Sequence, residues 1–149
     1  MLKINEVLNV EGTLFRILTI LPHSIIWIDI NLKNAFPSEV SKAEILKGLE
    51  ELNIKRESDP YESYAFIQPI KGSKQELKRD QNYALIYPLI SNDLFYIPAQ
   101  RGKIISEIMN QHEVTKQTLY RLARRYWQRG QNPNALLPDY RNSGAKGKK

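Results

Sequence analysis

Cysteine is absent from the chain. Thiolate metal sites, disulfide staples and cysteine nucleophiles are excluded with it, as is a disulfide-built extracellular scaffold. Long apolar runs are missing too, and nothing approaches the ~18 unbroken apolar residues of a membrane span. The N-terminus, MLKINEVLNVEG, has no basic stretch leading into an apolar run and does not read as a signal peptide. The expectation is a soluble protein of a reducing cytoplasm. Histidine is scarce, and His23 and His112 are too isolated to suggest a metal pair or a triad. Acids are scarce in one place only: residues 101–149 hold 11 Lys/Arg and three acids, against 11 Lys/Arg and 13 acids in residues 1–100. The net charge of +6 is thus concentrated at one end, the pattern of a protein that binds a polyanion, most often nucleic acid.

What is present fits an ordinary globular chain, with 42% hydrophobic and 26% charged residues over 149 positions, enough for one core or two small ones. Gly12 and Pro22-His23 divide the first 31 residues into three apolar stretches, 4–10, 14–21 and 24–30, read as a β-meander. Ser41-Lys42-Ala43-Glu44 is a capping box opening a short helix to about Leu52, with Ile45, Leu46 and Leu49 facing the sheet. Residues 53–72 read as a strand or extended passage out of this small β/α module of residues 1–72. A second capping box, Ser73 to Glu76, opens a connecting helix over 73–91 that Pro88 kinks or ends. Pro98 suits the first position of the next helix, whose apolar stripe is Ile104, Ile105, Ile108 and Met109. After the turn His112–Thr115, Thr115 caps a last helix that Gly130 stops, so residues 92–130 read as a helix-turn-helix. The fold class expected is α+β, a small N-terminal β-meander with a helix followed by an all-α helix-turn-helix domain, with residues 131–149 a basic extended tail or linker.

Phasing the last helix at ~100° per residue puts Leu119, Leu122, Ala123 and Tyr126 on a packing stripe. Gln117, Arg121, Arg124 and Gln128 fall on the opposite side, combining guanidinium forks with amides that pair with guanine and adenine edges in a major groove. The N-terminal half of a recognition helix sits deepest, which puts Lys116, Gln117, Tyr120 and Arg121 nearest the bases, with Thr115 beside them. Arg124, Arg125 and Arg129 suit phosphates. Trp127 and Tyr120 flank the stripe as packing residues or as contacts to sugar and phosphate. The tail, with Arg141, Lys146, Lys148 and Lys149, is either a phosphate-tracking arm or a solvated end. Glu50-Glu51, Asp59, Glu62 and Asp80 read as solvated surface charges rather than as a metal-binding carboxylate cluster, so no catalysis is expected of this chain and no cofactor.

The run from Val114 to Gly144, with RYWQRGQNPNAL at its centre, resembles the N-terminal region of the TnsB transposases, the DDE-type transposase subunits of Tn-seven-like bacterial transposons. Ile4-Asn5-Glu6-Val7, Phe15-Arg16-Ile17-Leu18 and Asp59-Pro60-Tyr61 match in the same order. The resemblance implies binding of double-stranded DNA at transposon ends and a nucleoid location. It also implies TnsA-like endonuclease and TnsC-like ATPase partners, and a catalytic domain beyond residue 149 using a divalent metal, Mg or Mn. Two other readings of the residues stay open: a protein-interaction module built on residues 1–70, and a free-standing helix-turn-helix transcriptional regulator.

Overall fold

The computed structural model describes residues 1–138; the part of the expected basic tail that follows, with Arg141, lies outside the described residues. The three apolar stretches form β1 (Val7–Val10), β2 (Thr13–Ile20) and β3 (Ser24–Asp29), and two further strands join them, β4 (Ser38–Ser41) and β5 (Ile54–Glu57). All neighbours are antiparallel, in the order β4-β3-β2-β1-β5. Glu11 and Gly12 turn β1 into β2 with φ of 53° and 93°, the left-handed pair that a two-residue hairpin loop requires. The Gly12 N–H donates to Asn9 Oδ1 at 2.8 Å.

Both faces of the central strands are covered, which is why β2 and β3 read as nearly continuous apolar runs. Alternation sends Leu8, Ile17, Ile25 and Trp27 to one face, where α1 (Lys42–Glu50) covers them with Ile45 and where Ile54 joins them. Ser41 caps α1 by accepting the Glu44 N–H. Leu46, expected against the sheet, is exposed instead. Gly48 takes the contact, and a Cβ there would stand 2.5 Å from the Ile54 side chain.

Val7, Leu18, Ile26, Ile28 and Ile30 point to the other face, and the helices of the second half close over it. These are α2 (Lys74–Ile90), α3 (Pro98–Gln111) and α4 (Lys116–Gln128). Their Ile86, Leu89, Ile104, Ile105, Ile108, Leu119, Leu122, Ala123 and Trp127, with Phe95 from the link between α2 and α3, belong to the same cluster as the strand residues. The Phe95 and Trp127 rings stack at 5.2 Å. Pro88 does not end α2, which runs one further half-turn to Ile90. On α3 the buried stripe is Arg101, Ile104, Ile105 and Ile108, and Met109, expected in it, is exposed.

Residues 131–138, expected to begin an extended tail, fold back instead. Gly130 and Gln131 have φ of 116° and 54° and turn the chain into a 3-10 turn, Pro133–Leu136, that buries Asn134, Ala135 and Leu136. The Asn134 amide donates to the carbonyls of Tyr64 and Ile67 at 2.7 and 2.8 Å, and its oxygen accepts from Arg79 at 3.0 Å. The passage after β5, with its own 3-10 turn Glu62–Phe66, is thereby pinned to α2 and to the end of the described chain.

Candidate nucleic-acid interface

Four residues, 112–115, join α3 to α4, a spacing that lets the second helix cross the first as in a helix-turn-helix. Thr115 Oγ1 accepts the Thr118 N–H at 3.1 Å and satisfies one of the donors a helix start leaves unpaired. In the first two turns of α4, Lys116, Gln117 and Arg121 are exposed. Tyr120 is half-buried, its ring edge-on to Phe36 at 5.3 Å, with Lys116 Nζ 5.8 Å above it. Beside this end an open groove of about 700 Å³ runs between α2 and α4, and Lys78, His112, Arg121 and Arg125 bring basic groups to its lining.

The last two turns of α4 keep the expected phase, but there the outward side is covered by the chain after β3. Arg124 and Gln128, placed by phase on the open side with Gln117 and Arg121, are turned onto the N-terminal sheet. Arg124 Nε donates to the Ala35 carbonyl at 2.7 Å, and its guanidinium lies 4.9 Å from the Phe36 ring centre. Gln128 Nε2 donates to the carbonyls of Asp29 and Leu32, both at 2.9 Å. The Arg129 guanidinium stands over Tyr61 and Tyr64, at 5.5 and 5.9 Å, and Arg125 donates to the Leu137 carbonyl. On the packing side Leu119, Leu122 and Ala123 are buried as expected. Trp127 fills the position given to Tyr126, which is half-buried, and burial beside Tyr83 and Tyr87 pushes the Tyr126 hydroxyl up to about 12.

Arg16 is the residue that composition and phase did not single out. It is fully buried in β2, and a guanidinium in such a place requires several acceptors. Nη1 and Nη2 each donate to one oxygen of Asp59 at 2.7 Å, Nη1 donates to the Asn5 carbonyl at 2.9 Å, and Nη2 to the Gln128 carbonyl at 3.2 Å. One side chain thus joins the sheet, the passage after β5 and the end of α4. Asp59, read from the sequence as a solvated charge, is its counter-ion. Burial pushes the Asp59 carboxyl up, but the Arg16 hydrogen bonds, the Tyr61 N–H and the Arg16 charge outweigh it, and the net pKa lies below the ordinary aspartate value. Asn5 adds a second tie: its amide donates to the Gly130 carbonyl at 3.0 Å while its oxygen accepts from Gln131 at 2.8 Å. The signal for Arg16 was present as a lone charge inside the apolar run Leu14–Leu21.

Other carboxylates are also engaged locally. Glu6 pairs with Arg56, Glu76 and Asp80 flank Arg79, and Asp29 Oδ1 accepts the N–H groups of Asn31 and Leu32. Among the described residues no group of three or more His, Asp or Glu is placed to hold a metal ion, and no helix is long and apolar enough to cross a membrane.

A doubly covered five-stranded sheet merged through one core with a helix-turn-helix defines an α+β protein of the SH3-like plus helix-turn-helix class. Residues 1–60 match the family described as the TnsB N-terminal SH3-like domain, and residues 79–140 the TnsB second domain. The chain belongs to the TnsB family. It is 37% identical over all 149 residues to the Escherichia coli protein named Transposon Tn7 transposition protein TnsB, and it spans 21% of that protein's length. The kinship is with the N-terminal region of the relative.

Proposed function

We propose that this chain binds duplex DNA at transposon ends, with the N-terminal half of α4 in the major groove. The observation that carries the reading is the pairing of an exposed Lys116, Gln117 and Arg121 with a helix whose other end is anchored by Arg16, Arg124 and Gln128. Gln117 and Arg121 offer a bidentate amide and a bidentate guanidinium to base edges. Thr115, Lys116 and the groove-lining Arg125 serve phosphates, and Tyr120 supports Lys116 from below. Arg124, Gln128 and Arg129 hold the helix in place rather than read sequence. Anchoring stabilises binding indirectly, because a recognition helix already fixed on a rigid sheet loses little freedom on docking.

In this reading the chain is the end-recognition part of a cut-and-paste transposase of the bacterial cytoplasm, working with TnsA-like and TnsC-like partners. In the same reading, strand cutting and joining with a divalent metal belong to a region other than these residues; the chain spans 21% of the relative's length. Among the described residues Asp59, Glu6, Asp80 and Asp29 are engaged with Arg16, Arg56, Arg79 and turn N–H groups, and no group of three or more acids or histidines is placed to hold a metal ion. The test is selection of duplexes from a randomised library by the parent chain, followed by affinities of Gln117→Ala and Arg121→Ala. Each variant should lose ~1–3 kcal/mol on the selected duplex and much less on a scrambled one. Equal losses on both duplexes would remove base reading from α4.

A further inference from the structure

Gln117, Tyr120, Arg121, Arg124 and Gln128 recur at intervals of three and four residues and so share one side of α4. Over the first two turns Gln117 and Arg121 meet solvent, while Tyr120 is half-buried. Over the last two that side is covered by the loop from β3 to β4, residues 31–37. The loop is held firmly: Gln128 binds the Leu32 carbonyl, Arg124 binds the Ala35 carbonyl, and Phe36 lies under Tyr120 and between two guanidinium groups, Arg124 at 4.9 Å and Arg101 at 4.7 Å. Its own tip is a tight turn in which the Ala35 N–H donates to the Leu32 carbonyl at 3.3 Å. The two residues at the apex, Lys33 and Asn34, are exposed. They lie between Leu32 and Ala35, whose carbonyls are tied to Gln128 and Arg124 on this same side of α4.

We propose that the Lys33-Asn34 turn is a second DNA contact, a clamp on the phosphate backbone bordering the groove that α4 enters. The proposal rests on the α4 reading above and adds to it a contact from the sheet module. An ammonium group and a side-chain amide are donors suited to phosphate oxygens and carry no base preference. The guanidinium groups of Arg101 and Arg124 keep their charge although burial lowers both pKa values, and they make the base of the loop positive. Asp29 is the carboxylate at the loop's root, and its Oδ1 is occupied by the Asn31 and Leu32 N–H groups. Because the loop is fastened to α4 by Arg124 and Gln128, the turn and the recognition helix dock as one piece.

The test uses the parent chain and the library-selected duplex. Lys33→Ala should weaken binding roughly 5–10-fold at 0.1 M salt, equally on selected and scrambled duplexes, and reduce the slope of log K against log salt by about 1. Lys33→Glu should weaken it further. Lys55→Ala, on β5 at the opposite edge of the sheet, should behave as the parent. The lack of native cysteine allows Lys33→Cys and Gln117→Cys each to carry one iron chelate for hydroxyl-radical cleavage. The two cut sites should lie within about half a helical turn, roughly 5 bp, of each other. If Gln117→Ala loses discrimination while the Lys33 variants keep the parent's slope, the clamp is overturned and the α4 reading stands. Absent cuts from position 33, or cuts more than one turn from those of position 117, overturn it equally. A parent chain that selects no duplex overturns both.

Discussion

In the first two turns of α4, Lys116, Gln117 and Arg121 reach solvent, whereas in the last two Arg124, Gln128 and Arg129 are engaged by the N-terminal sheet and the passage after it. The two halves carry the same residue types and, by phase, continue one stripe. They differ in what lies above them. A loop rich in backbone carbonyls covers one half, and arginine and glutamine donate to carbonyls as readily as to base edges. Side-chain chemistry alone therefore cannot divide such a helix into open and anchored parts; the neighbouring element decides.

The comparison breaks most severely at Arg16. Arg16→Ala removes the partner of a partly buried carboxylate and the hydrogen bonds to the Asn5 and Gln128 carbonyls, and should cost ~3 kcal/mol, the low end for breaking a buried ion pair because Asp59 retains some exposure to water. Urea unfolding should show this loss as one cooperative transition if the sheet and helices share a core. Two separated transitions would mean that the sheet and the helix-turn-helix unfold independently. Asn134→Ala should follow at ~1–3 kcal/mol, since it leaves the Tyr64 and Ile67 carbonyls and Arg79 without their amide. Its effect on DNA affinity, measured well below the unfolding range, should be small.

A paired substitution sharpens the contrast within α4 itself. Gln128→Ala should lower stability by ~1 kcal/mol and leave discrimination between duplexes intact. Gln117→Ala should change stability by less than about 0.5 kcal/mol and lose discrimination. Reversed outcomes would exchange the roles assigned to the two halves.

The smallest effect is confined to acid pH. Asp59 has a folded-state pKa below its unfolded value, so its contribution is present above the unfolded pKa, ~3.9, and declines as pH falls through the folded one. The stability of the parent should therefore drop below about pH 4 more steeply than that of Asp59→Asn, followed by denaturant midpoints at pH 2 to 7. Parallel curves would mean that the Arg16 pair is not what this carboxylate feels.

Much of the fold was legible before any coordinates. Ser41, Ser73 and Thr115 cap the helices expected of them, Pro98 opens α3, and Gly130 stops α4 with φ of 116°, because caps and breakers act through bonds within a few residues. β4 was not legible as a strand, and β5 only as one of two readings of residues 53–72. Each spans only four residues, Ser38–Ser41 and Ile54–Glu57, and each exists through pairing with β3 or β1 rather than through a pattern of its own. Residues 131–138 were taken for tail because QNPN is polar, yet Asn134 is buried as a hydrogen-bonding staple. In the candidate interface, Lys116, Gln117 and Arg121 remain on the open side, while Arg124 and Gln128 left it for carbonyls that the sequence numbers about 90 residues away.

By itself the sequence determined the local layer: the order and caps of the helices, the β1–β2 hairpin at Gly12, the basic C-terminal third, and the resemblance that proved to be family membership. These follow from short-range sterics, hydrogen bonding and charge, which a linear pattern records. Only the tertiary structure decided that sheet and helices share one core, that Arg16 and Asp59 lock the sheet to α4, and that a sheet loop lies on the C-terminal half of the polar stripe of α4. Those outcomes depend on desolvating a guanidinium against partners distant in sequence, an energy set by burial and geometry rather than by residue type.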